Sequence, residues 1–198
     1  MQINQREITL YTPGKVYTGH IDMANEAVRT IDFFNSANLY WKNPAEKSFD
    51  DAVLLHNAKI LLTGDVKLSD FPKVQLRLSE VIFFFDALKK SGDAKEKLRA
   101  ATLKAKTNEE TSVIHAVTYS NGDAFFYITG VFYGLFKSKS ALRFMPLTEA
   151  TVTRVHRVED KWQKQRIALE HAFVGISIRH IEACSFADRK FQAKPANG

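Results

Sequence analysis

The sequence predicts a mainly β fold built as two tandem small bent-sheet barrels, the product of an internal duplication, joined by one α-helix. Three observations carry this expectation. Val74 to Asp86, VQLRLSEVIFFFD, recurs 91 residues later as QRIALEHAFVGIS, with Leu76, Leu78, Val81, Ile82 and Phe83 matching Ile167, Leu169, Ala172, Phe173 and Val174. Each copy reads as strand, turn-like break, strand. Upstream, Val53 to Ile60 matches Met145 to Val152 at an offset of 92, and a near-constant offset is hard to obtain by chance. The runs Phe83-Phe84-Phe85 and Phe125-Phe126-Tyr127 suit strands packed on strands. The first unit then spans 5–90, a helical linker 91–110, the second unit 111–185 and a tail 186–198. About 100 residues per unit is enough for a small independent core.

Along the chain, Glu7 to Thr12 and Lys15 to Met23 alternate around Pro13-Gly14 as a hairpin. Gly19 in its second arm marks a strong bend, with Gly130 as its counterpart in the second copy. Asp32 and Asn35 are placed to fix a turn through side-chain hydrogen bonds, and Leu39 to Ser48 reads as a loop. Ala52 to Thr63 is a strand ended by Gly64-Asp65, and Val74 to Leu88 completes the unit. Ser91 to Thr107 is rich in Ala, Lys and Leu and reads as a linker helix with only a thin apolar stripe. Ser112 to Tyr119 and Ala124 to Leu135 form a second hairpin around Ser120-Asn121-Gly122. Ala141 to Val155 follows as a strand broken at Pro146, and Glu159-Asp160-Lys161 turns the chain into Gln165 to Ala183.

Composition narrows the function classes. Hydrophobic residues at 45% and charged residues at 25% are ordinary globular usage, which argues against disorder. The net charge of +6 favours anionic partners, but the excess is diffuse. The single cysteine, Cys184, cannot form an intramolecular disulfide and suits a reducing, cytoplasmic setting. No window approaches 18 uninterrupted apolar residues, and MQINQREITLYT lacks the pattern of a secretory leader, so no membrane association is expected.

No motif names a reaction. The histidines His20, His56, His115, His156, His171 and His180 form no HxH or HExxH arrangement, so no metal is expected. Asp50-Asp51 and Glu109-Glu110 are sequence neighbours that point apart on a strand, without the convergence that acid/base work needs. No cofactor-binding loop or nucleophile elbow occurs. The expectation is a non-enzymatic structural or regulatory interaction module, without cofactor, that self-associates or meets a protein partner through strand edges. Val81 to Phe85 is the strand expected to present such an edge. The alternative is weak, phosphate-dominated binding of single-stranded RNA. Its candidate residues are Lys15, Tyr17, Arg29 and Phe33 in the first unit and Lys137, Lys139 and Arg143 in the second, since aromatics beside cations stack bases and neutralise phosphates.

A bent hairpin arm with Gly19, the strand Leu54-Leu55-His56-Asn57-Ala58 and the closing Leu76-Arg77-Leu78-Ser79-Glu80-Val81 resemble the Sm-like (Sm and Hfq) small barrel, an SH3-like architecture. Gly130, Leu147-Thr148-Glu149-Ala150 and Ala168-Leu169-Glu170-His171-Ala172 repeat the likeness in the second unit. The resemblance implies assembly of barrels into rings and a capacity for RNA. The chain departs from the family's base-holding pattern, because Arg77 is followed by Leu78 and the second copy has Ala168-Leu169. Arg29-x-x-Asp32-Phe33-x-Asn35 and Phe144-Met-Pro-Leu-Thr-Glu-Ala150 are also similar to segments of an uncharacterised bacterial family with RLSDFLN-type and PLTDA-type stretches.

Overall fold

Alternating apolar residues on either side of Pro13-Gly14 pair as the first hairpin, β1 (Asn4–Thr12) with β2 (Lys15–Met23), and Gly14 takes the positive φ of 80° that the turn needs. A computed structural model of the chain describes residues 4–23, 28–35, 51–62, 66–86, 112–120, 122–132 and 143–188. After the hairpin come the short helix α1 (Thr30–Asn35), β3 (Ala52–Leu62), β4 (Lys67–Arg77) and β5 (Phe83–Asp86). Then follow β6 (Ser112–Thr118), β7 (Ala124–Phe132), β8 (Phe144–Val158), β9 (Lys161–Ile167), β10 (Phe173–Ser177) and β11 (Ile181–Asp188). The fold is therefore mainly β. All the strands join one antiparallel sheet in the order β11-β6-β7-β8-β10-β5-β1-β2-β3-β4, with β9 hydrogen-bonded to β8 off this path. The expected linker helix and the Leu39 to Ser48 loop lie outside the described residues. No helix among the described residues is long and apolar enough to cross a membrane.

One local geometry recurs at the offset of 92 read from the sequence, at Asn57 and Glu149, and a second, the glycine-backed bend, recurs at 111, at Gly19 and Gly130. Asn57 and Glu149 both adopt left-handed φ, 49° and 51°. Each follows a strand segment that crosses a bent partner: the β2–β3 register slips between Thr18 and His20, and the β7–β8 register between Thr129 and Val131. Glycine sits under both crossings because a Cβ would not fit. On Gly19 it would stand 2.9 Å from the His56 carbonyl oxygen, and on Gly130 2.8 Å from Leu147 Cβ.

The closing motif is placed differently from the expectation. Val74 to Asp86 does fold as strand, 3₁₀ turn (Leu78–Glu80) and strand. Gln165 to Ser177 shares the strand, break, strand outline, with the end of β9, an irregular stretch at 168–172 and β10, but its break is not a 3₁₀ turn. The second 3₁₀ turn is Ile178–His180, 100 positions after the first and not 91. Both turns close in the same way, with Val81 N–H donating to the Leu78 carbonyl and the Ile181 N–H to the Ile178 carbonyl. Pro146 does not break β8 either. It lies opposite Gly175 of β10 and beyond the last β7 pair, Val131 with Thr148, so its missing N–H interrupts no β7 ladder.

β5 decides how the halves meet. It pairs with β1 on one side and β10 on the other, and all four of its residues are buried. Period-two alternation sends Phe84 into a core with Ile8, Leu10, Leu55, Phe34 and Phe144. The same alternation sends Phe83 and Phe85 into a second core with Ile114, Phe126, Ile128, Leu147 and Val174. Ring contacts at 4.6 Å (Phe34 to Phe84) and 5.0 Å (Phe83 to Phe126) anchor the two sides. The expectation that Val81 to Phe85 offers a free edge is thus corrected: the strand is paired on both edges and buried on both faces. Asn35 adds a clasp between the halves, its Oδ1 accepting from the N–H groups of Arg143 (3.0 Å) and Phe144 (2.8 Å) and its Nδ2 donating to the Phe144 carbonyl (2.9 Å).

Two measurements probe this junction. Gly175 faces Phe84 in the register, and a Cβ built there would overlap the Phe84 ring. Gly175→Ala should lower the stability by about 1–3 kcal/mol in urea unfolding, and adding Phe84→Leu should recover part of the loss; a neutral Gly175→Ala would refute the contact. Asp86 ends β5 with its carboxylate accepting from the Thr30 hydroxyl, Arg6 lying 3.9 Å away. Burial raises its pKa, against lowering by the Thr30 hydrogen bond and the Arg6 charge. A folded pKa above the unfolded one favours the protonated state in the fold, so this stabilisation is complete below the ordinary carboxylate range and is lost as pH rises through the folded pKa. Asp86→Asn should therefore gain on the parent protein as pH rises from about 4 to 7, and a stability difference that stays flat over that window would count against it.

Candidate ligand-binding face

The β8–β9 hairpin turns at Glu159 and Asp160, both with positive φ (47° and 62°), the pairing of left-handed residues that a two-residue hairpin requires. From that turn Val152–Val158 and Lys161–Ile167 run in strict register. Directly opposed residues share a face, so the pairings of β7, β8 and β9 place side chains in rows. Trp162 lies beside Arg157; Lys164 beside Val155 and Phe125; Arg166 beside Thr153 and Tyr127. The result is one outer face carrying three aromatic rings and three cations.

This face is open. Trp162 is 57% and Tyr127 37% exposed, and Lys164 and Arg166 are exposed as well. The rings are held in place: Phe125 meets Trp162 edge-on at 5.8 Å, and the Tyr127 hydroxyl is 2.6 Å from His115 Nδ1. Arg157 is anchored by Asp160 at 2.8 Å. Among the described residues β9 pairs only with β8, and its residues Lys161 to Arg166 are all exposed. A strand that buries so little has its side chains available for a partner.

The residues singled out from the sequence lie elsewhere. Phe33 is 5% exposed and packs edge-on against Phe34 at 5.4 Å, so its ring is a core group with no open face for a base. Tyr17 packs against the same core, and burial raises its phenol pKa. Arg29 gives both guanidinium bonds, at 2.6 Å each, to Asp32. Arg143 pairs with Asp51 beside the Asn35 clasp. Lys15 opens β2, its carbonyl accepting from the Thr12 hydroxyl at 3.3 Å. Lys137 and Lys139 lie outside the described residues. Cys184 is a free, half-buried thiol whose pKa is raised by burial, the opposite of an activated nucleophile. Among the described residues no three His, Cys, Asp or Glu side chains gather as a metal site.

Sequence reasoning missed the outer face because Glu159-Asp160-Lys161 reads as a turn into a strand that starts only at Gln165, which leaves Trp162 and Lys164 in no strand. A signal was present: Trp162, Lys164 and Arg166 alternate with Gln163 and Gln165 at the strand period. Comparison with known proteins adds no constraint, since no family model, curated protein or solved structure matches the chain.

Proposed function

We propose that the chain is a binding module without catalytic chemistry, made of two tandem small Sm-like barrels from an internal duplication, and that its β7–β8–β9 face takes single-stranded nucleic acid. The observation that carries the ligand is the register that puts Trp162, Phe125 and Tyr127 on one exposed face with Arg157, Lys164 and Arg166. Aromatic faces stack bases without regard to sequence, and flanking cations neutralise phosphates. The recurrent bulge over glycine, the paired left-handed residues Asn57 and Glu149 and the two 3₁₀ turns support the tandem-unit reading. Self-association through the edge of β5 is closed by its pairing with β1 and β10, and among the described residues the strands that end the sheet are β11 and β4.

Titration of a fluorescein-labelled oligouridylate at low and moderate salt tests the assignment. Neutralising two to three phosphates should give a slope of log K against log salt of about −1.5 to −2 for a single strand. Trp162→Ala should weaken binding by about 1–3 kcal/mol, and Lys164→Gln with Arg166→Gln should flatten the salt slope. No binding at low salt, or binding indifferent to all three substitutions, would refute it.

A further inference from the structure

The sheet runs from β11 to β4, and its two ends are guarded unequally. β4 carries Pro72 with the charges of Lys67 and Asp70, devices that keep a strand edge from pairing. β11 has neither from Ala183 to Ala187, a run without charge or proline. Among the described residues its only strand partner is β6, so along its outer edge the backbone N–H and C=O groups face solvent. The core also runs out there. Phe186 stands opposite Ile114, which is fully buried in the second core, yet its own ring is 66% exposed. On the other face β11 presents Ala183, Ser185 and Ala187, side chains small enough to let another strand approach.

We propose that β11 pairs with β11 of a second copy of this chain, antiparallel about a two-fold axis, so that two sheets continue into one. A two-fold pair is self-sufficient, since each strand supplies the edge that the other lacks. Opposed residues share a face, so the axis passes through a residue facing itself, and charge selects which one. With Ser185 at the axis, Glu182 of each copy would stand opposite Asp188 of the other, a like-charge pair. With Cys184 at the axis, Asp188 of one copy stands opposite His180 of the other and beside its Arg179, and Ala183 stands opposite Ser185. Phe186 then lies diagonal to Cys184 of the other copy, where a large ring still reaches its neighbour. The Cys184-centred register is therefore the one assigned. It does not depend on the nucleic-acid reading, because β6, β7 and β8 separate β11 from β9.

Sedimentation of the intact chain over a concentration series reads the assembly, and Cys184, the one cysteine of the chain, reports the register. Directly opposed residues have Cα atoms about 4.5–5.5 Å apart, within reach of a disulfide. A single strand pair is smaller than a standard interface, so a monomer–dimer equilibrium in the micromolar range is expected. Diamide should convert the dimer to a disulfide-linked form. In the assigned register position 186 faces Glu182 of the other copy, so Phe186→Glu should dimerise about tenfold more weakly than Phe186→Lys. A monomer at submillimolar concentration, a species larger than a dimer, a dimer that diamide leaves unlinked, or equal dimerisation of the two variants would overturn the proposal. Sedimentation and oxidation of the unsubstituted protein decide it even if a variant fails to fold.

Discussion

A β-strand shows alternate residues to opposite sides, and in β5 both sides are cores. Phe84 fills one, Phe83 and Phe85 the other, and each buried aromatic is worth about 1.5–3 kcal/mol in transfer from water. The strand cannot slip by one residue without exchanging its partners wholesale, since such a slip reverses every side chain. Gly175 tightens this further, because only a residue without Cβ lets β10 come up against the Phe84 ring. The junction between the halves is thus a shared strand rather than two surfaces placed together.

The rest of the architecture follows from where β10 goes. By leaving β9 and crossing to β5, it continues the sheet from the second half into the first, and β8 serves both: Phe144 to Thr148 pair with β10, Val152 to Val158 with β9. Phe144 reaches the first core and is clasped by Asn35 on the way. The price of this arrangement is an outlying β9 with little to bury. Its Trp162, Lys164 and Arg166 look outward as part of the basic and aromatic surface, while Gln163 and Gln165 share the other face with His156 and Arg154 of β8.

Much of the β framework was legible in the sequence. The hairpin around Pro13-Gly14, the strand, turn and strand from Val74 to Asp86 and the offset between Leu55 to Ala58 and Leu147 to Ala150 are local signals, set by alternation and glycine. What could not be read was whatever depends on partners distant in sequence. The match of Val74 to Asp86 with Gln165 to Ser177 extends to a strand, break, strand outline and no further, because the 3₁₀ turn of the second half falls at Ile178–His180, outside the matched stretch. Phe33 and Tyr17 look like a stacking surface beside cations until α1 turns Phe33 into the core. Trp162, Lys164 and Arg166 escaped for the opposite reason, since a strand exposed along most of its length lacks the apolar alternation by which strands are recognised.

If β5 is the strand on which both halves depend, the most direct measurement is native-state hydrogen exchange at β5 and β10. The amides of Phe83 to Asp86 and Gly175 to Ser177 should open only with global unfolding, sharing the highest protection in the chain, and both halves should lose structure in one transition. Exchange at these amides through a cheaper partial opening, with one half retaining its protection, would contradict the shared strand as the element that holds the protein together.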